Sequence, residues 1–132
     1  MKTIYDIKTD IYKYLKASKL AKAVNGEVIK NKRTGNGKED VVIRTPSEAL
    51  FGEIQDIILY VNIYTQDVKK GAEFVESERI KPLCKAAYEV LKSYHGDTFV
   101  IHAESQQIFE VEATHEHVIS TRIKYQNYES NY

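Results

Sequence analysis

The chain has 132 residues, with 19 lysines and arginines balanced by 19 aspartates and glutamates. That length suits one domain able to bury a core without staples. The neutral balance argues against a general polyanion binder, which draws on surplus cations, and the single cysteine, Cys84, excludes an internal disulfide.

The N-terminal stretch carries Lys2, Lys8, Lys13 and Lys16 without an apolar run, which does not fit a signal peptide. No segment approaches the roughly 18 apolar residues of a membrane span, so the chain is expected to fold in the cytoplasm. Ile4, Ile7, Ile11, Tyr14 and Leu15 recur at helical spacing and predict an amphipathic helix with one core-facing stripe. Ser18 is the expected N-cap of a short helical turn through Leu20, Ala23 and Val24, with Asn25-Gly26 as its left-handed stop. A short strand over Glu27 to Lys30 follows.

Residues 31–40, NKRTGNGKED, have two glycines, two asparagines and no large apolar residue. They read as a mobile hairpin loop leading into the Val41–Ile43 strand, which Thr45-Pro46 closes. Ile54 to Thr65 is the strongest strand signal. Ile57, Leu59, Val61 and Ile63 make one face at period two, and Ile58, Tyr60 and Tyr64, interrupted by Asp56 and Asn62, make the other. A strand solvated on one side alternates more cleanly. The second face is therefore expected to be covered, by a neighbouring subunit or from within the chain.

Ile80, Leu83, Cys84, Ala87, Leu91 and Tyr94 form a second helical stripe, with Pro82 in the first turn, Gly96 ending the helix and His95 beside its C-terminus. Phe99, Ile101 and Ala103 then alternate, a turn is expected near Gln106, and Phe109 and Val111 alternate back. Ile119, Thr121, Ile123 and Tyr125 form the last strand, before a flexible polar tail at 127–132 that is rich in tyrosine. Ten tyrosines and no tryptophan is a balance met at protein interfaces, where ring and hydroxyl both find partners. The expected fold is α+β in one domain, 1–132: two amphipathic helices on a mainly antiparallel sheet, in the order α-β-β-β-α-β-β-β.

Residues that could carry chemistry are few. Gly35-Asn36-Gly37-Lys38 fails as a phosphate loop. Lys32 stands where an earlier glycine is needed, Glu39 where a hydroxyl is needed, and a strand follows instead of a helix. His115 and His117 would share a face on a strand, with His102 as a third metal ligand, but an HxH pair is weak evidence without convergence. Glu110, Glu112 and Glu116 alternate with apolar residues and read as the solvated face of a strand. Cys84 has no histidine near it in a recognisable motif. No catalytic residue, cofactor or metal is assigned. The basic cluster Lys30, Lys32, Arg33 and Lys38 is the main charge feature, suited to nucleic acid or an acidic partner surface, although no aromatic platform lies inside it.

Taken together, the opening helix, SKLAKAVNGEV (18–28), the loop with VVIRTP, the long strand, KPLCKAAYEVLKSY (81–94) and the closing EHVISTRIKY (116–125) resemble the phage tail-completion and tail-terminator proteins, also described as head–tail joining components. The resemblance implies an α+β subunit, a ring that is typically hexameric, no catalytic residues, and partners among other phage tail or neck proteins. It places the protein in the bacterial cytoplasm during assembly and in the virion tail or neck afterwards. Under it, residues 31–40 with Lys30, Lys32, Arg33 and Lys38 become a loop toward the lumen or a partner, and Ile58, Tyr60 and Tyr64 the subunit interface. The alternative is a small nucleic-acid-binding module using the basic loop 30–38, with transient DNA contact.

Overall fold

The computed structural model describes residues 2–30, 33, 35, 37–45 and 55–128. Helix α1 (Ile4–Lys16) starts where Thr3 and Asp6 exchange side-chain and backbone hydrogen bonds as a capping box, satisfying two otherwise orphaned N–H groups. Its stripe of Ile7, Ile11 and Leu15 is fully buried. Ser18 does stand at the N-cap of the short α2 (Lys19–Ala23), without a side-chain capping bond. Helix α3 (Ile80–Leu91) buries Ile80, Leu83, Ala87, Val90 and Leu91, with Pro82 in its first turn as expected.

The strands are β1 (Val28–Ile29), β2 (Val41–Arg44), β3 (Asp56–Gln66), β4 (Val68–Lys70), β5 (Glu73–Val75), β6 (Ser93–His95), β7 (Phe99–Val111) and β8 (Glu116–Asn127). Six of them form one sheet in the order β1-β2-β3-β8-β7-β6, and β4-β5 stand apart as a two-stranded ribbon. All pairs are antiparallel except β1 with β2. The helices cover one face, here the inner face. Its core includes Ile57, Leu59, Val61 and Ile63 of β3, and Ile119, Ile123 and Tyr125 of β8.

The α+β class holds, but the element order does not. Among the described residues three helices and eight strands replace the expected α-β-β-β-α-β-β-β, and four local differences have physical causes. First, β1 and β2 run parallel, so residues between them make a crossover and not a hairpin. The described part of that segment is anchored at its end, where the Asp40 carboxylate accepts the Glu27 N–H and Glu39 accepts the Asn25 N–H. Second, the α3 stripe ends at Leu91, and Ser93–His95 form β6 on the edge of β7. The Tyr94 ring instead stacks on Tyr14 of α1, with centroids 3.9 Å apart, and His95 does not sit on a helix terminus.

Third, no turn occurs at Gln106. Strand β7 runs unbroken from Phe99 to Val111, with a bulge between Ala103 and Ser105 that shifts the phase of the alternation. The reversal comes later, in a 3-10 turn at Glu112–Thr114, with His115 left-handed at φ 53°. Fourth, Gly71, at φ 62°, opens a two-residue turn that returns β4 onto β5. The expected tail begins too early as well: Asn127 is buried and ends β8, while 129–132 lie outside the described residues. So do Pro46 and Ile54.

Lys2 is buried at the centre of a polar knot. Its ammonium donates to Asp10 Oδ2 (2.9 Å), Thr98 Oγ1 (2.6 Å) and the Tyr125 hydroxyl (2.8 Å), and lies over the Phe99 and Tyr125 rings. An isolated buried charge is costly; three acceptors at one ammonium offset that cost and tie the chain start to the sheet.

Gly26 is not the left-handed stop that its position after Asn25 suggests; among the described residues the left-handed glycines are Gly35, Gly37 and Gly71. Space is the reason for glycine here. A Cβ at position 26 would lie 2.5 Å from the Glu39 carbonyl oxygen and 2.4 Å from Asp40 Oδ1. Backbone cannot yield as a side-chain tip can. Gly26→Ala is therefore expected to destabilise the fold by about 1–3 kcal/mol, read as a lower urea midpoint, through a clash with backbone; Gly35→Ala meets no neighbour within 4 Å and costs only the strain of its left-handed φ of 70°.

Candidate interaction surface

Two surfaces bear on function: the crossover segment with the sheet's outer face, and the outer edge of β7. On the outer face Val42, Asn62, Val118 and Glu116 are buried, while Ile58, Tyr60 and Tyr64 are half-buried. The cover at Tyr64 comes from the chain itself. Arg33 lays its guanidinium 4.2 Å from the Tyr64 ring centroid, and Arg44 reaches the same hydroxyl. Arg33 Nη1 also donates to both oxygens of Glu116 (3.1 and 3.0 Å), Nε to Asp40 Oδ2 (3.4 Å), and Nη2 to the Lys38 carbonyl. A planar guanidinium suits this combination of forked ion pair and ring stacking.

The basic cluster is thus largely spoken for. Arg33 is engaged by two carboxylates. Lys30 lies over the Tyr5 ring at 4.3 Å and donates to the Tyr5 hydroxyl and Thr9 Oγ1. Lys38 is exposed, and Lys32 lies outside the described residues. Glu116, expected on a solvated face, is instead buried beneath Arg33. Next to this clamp, Arg79 binds Glu39 through Nε (2.8 Å) and Nη2 (3.0 Å), and its guanidinium holds the Glu39 carboxyl below the ordinary carboxylate range.

The histidines do not converge. His115 sits in the turn, so it shares no strand face with His117. His102 pairs with Lys124 and His117 with Glu110; seven residues of β8 separate those positions, roughly 23 Å. The His117 Nδ1 instead meets the buried Asp67 carboxylate at 2.6 Å. No cluster of three or more metal-ligating side chains occurs among the described residues. Cys84 is half-buried on α3, where burial pushes its thiol up. No helix among the described residues is long and apolar enough to cross a membrane.

The second surface was not legible beforehand. β7 has thirteen residues, but β6 covers only Val100, Ile101 and His102 of its outer edge. From Glu104 to Glu110 every residue is exposed, including Ile108 at 48% and Phe109 at 45%. Among the described residues no strand lies beside this stretch. In an L-peptide strand, the face a side chain takes and the side to which its N–H and C=O turn are locked together. Inner-facing Phe99 and Ala103 turn their carbonyl and N–H to Gly96 and Lys92, on the β6 side. Beyond the bulge the inner-facing residues are Gln106, Ile108 and Glu110, opposite Thr121, Ile119 and His117. Their backbone groups therefore point out of the sheet's open edge.

Open edges are normally blunted by charged side chains, proline, a bulge or brevity. Residues 105–111, SQQIFEV, contain no lysine, arginine or proline and one carboxylate, Glu110, and the bulge lies before them, between Ala103 and Ser105. The edge is also anchored from within: Gln106 Nε2 donates to the Cys84 carbonyl and to Thr121 Oγ1, fixing β7 to α3 and β8. At the same end of the sheet the β4-β5 ribbon docks by Phe74 stacking on His115 at 3.8 Å, and adds exposed Val68 and Phe74 to the apolar surface. No family model matches this chain, and neither a curated protein nor a solved structure matches it.

The clamp at Arg33 has a measurable consequence. Its side chain and those of Glu116 and Asp40 are only 11%, 5% and 2% exposed. Removing the cation leaves two buried carboxylates without it. Arg33→Met is expected to cost about 3 kcal/mol in chemical denaturation, far more than loss of an exposed loop cation.

Proposed function

We propose that this chain is a non-enzymatic structural assembly protein that works by docking onto copies of itself and onto other proteins. The open edge of β7, free of lysine and proline over 105–111, carries this reading. It offers a row of free backbone donors and acceptors beside exposed Ile108 and Phe109, the chemistry by which one protein adds a strand to another. The resemblance of its sequence segments to tail-completion and tail-terminator proteins, in a chain that no family model matches, is the one ground for setting that assembly in a phage or prophage tail or neck. There a ring, typically hexameric in that family, would end the tail tube or join tail to head. Ile58 and Tyr60 on the outer face stay assigned to a second contact, while the Tyr64 ring is already occupied by Arg33.

The nucleic-acid alternative has less support, because Arg33 and Lys30 are held by groups of the chain itself and the formal charge is zero. Light scattering across a wide concentration range tests the assembly reading. Mass should climb to multiples of the monomer as concentration rises, and Ile108→Lys should hold it at the monomer value with the circular dichroism unchanged. A monomeric mass at every concentration would contradict the reading.

A further inference from the structure

We propose that β7 pairs with β7 of a second copy, antiparallel about a two-fold axis at Ile108, so that two six-stranded sheets join into one. This rests on the assembly reading above and specifies its contact. An open strand edge is a template for another strand. The opposite edge of the sheet is β1, only two residues long. Among the described residues β7 is therefore the one long strand this chain can offer to itself, and that makes the contact isologous.

The register follows from charge, face and space. A continuous sheet needs inner-facing residues opposite inner-facing residues, so the axis passes through a residue and not between two. Centred on Gln107, Glu110 of the second copy would have to pair at Glu104, the bulge residue, whose carboxylate is turned to Arg122 at 3.1 Å and whose backbone departs from the regular ladder. Centred on Gln106, the incoming Glu110 would need the edge at His102, which Ser93 of β6 already fills. Centred on Phe109, Ile108 would face a carboxylate twice. Centred on Ile108, Ile108 meets Ile108, Gln106 meets Glu110, Gln107 meets Phe109 and Ser105 meets Val111. Within the strand no like charges then oppose, because Glu112, next in line toward Glu104, has already left β7 for the 3-10 turn. No position overlaps β6. The outward-turned backbone groups of Gln106, Ile108 and Glu110 then meet the same groups on the second copy. By itself a two-fold contact closes into a dimer; a ring needs the separate outer-face contact as well.

Disulfide trapping tests this. In a Cys84→Ser background, an equal mixture of Gln107→Cys and Phe109→Cys chains places two thiols on a non-hydrogen-bonded pair, whose Cα atoms are about 4.5 Å apart and whose side chains are the closer ones, inside the roughly 4.4–6.8 Å range a disulfide spans. Mild oxidation should convert most of the mixed pairs to a covalent dimer. Ser105→Cys alone should stay monomeric, because its own copy lies about 20 Å away along the strand. An equal mixture of Ser105→Cys and Val111→Cys chains, also a non-hydrogen-bonded pair, should give the crossed dimer. Folding of each variant is checked by its circular dichroism. If these mixtures associate by light scattering but do not link through the introduced thiols, the register is overturned and the assembly reading stands. Chains that never associate would overturn both.

Discussion

The structure depends on β8. From Glu116 to Gln126 every residue of this strand has a backbone partner on both sides, β3 along one edge and β7 along the other. Buried backbone groups must be paired, and a strand of this length sets the length of both its neighbours. On the β3 side the demand is met onward by β2 and β1. On the β7 side it is met by β6 for only three residues. The central ladder therefore forces β7 to be long, and the shortness of β6 leaves its outer edge bare.

The remaining architecture serves to fix that ladder. The Lys2 knot holds the start of the chain on Tyr125 of β8 and Thr98 before β7. The Arg33 clamp presses the crossover segment onto Glu116 at the other end of β8, across the outer face. Gln106 binds β7 to α3. All three contacts are polar; those of Lys2 and Arg33 are partly or wholly buried, so each of these two is costly if left half-made. They also join residues far apart in sequence, up to 123 positions for Lys2 and Tyr125. One buried atom departs from this pattern: Asn62 Oδ1 has no hydrogen-bond partner among the described residues.

Much of this was readable from residue spacing. The stripes of α1 and α3 and the two faces of β3 follow from periods of 3.6 and two, because burial on one side selects the residues there. What escaped was set by contacts between distant residues. Tyr94 continues the α3 stripe in number, yet its ring is taken by Tyr14, and the chain turns at Lys92 into β6. The run Ser105-Gln106-Gln107 looks like a turn because it is polar. A bulge reverses the alternation there, and the polar residues lie on an edge that nothing among the described residues covers. The absence of glycine and proline from Phe99 to His115 was the available signal for one long strand. The parallel pairing of β1 with β2 had no local signal, since a crossover and a hairpin loop of that length share a composition. Gly26 was right as a breaker and wrong in its reason: it yields space to Glu39 and not a left-handed turn. The basic cluster was visible as charge, but its acidic partners Glu116 and Asp40 become neighbours only in the folded sheet.

Amide hydrogen exchange along β7 tests the central claim most directly. In dilute protein the N–H groups of Gln106, Ile108 and Glu110, turned to the open edge, should exchange much faster than those of Ser105, Gln107 and Phe109, which face β8. At high concentration the first set should become protected while the second changes little. Equal protection of both sets in dilute protein, or no gain for Gln106, Ile108 and Glu110 on concentration, would contradict an open edge that takes up a strand.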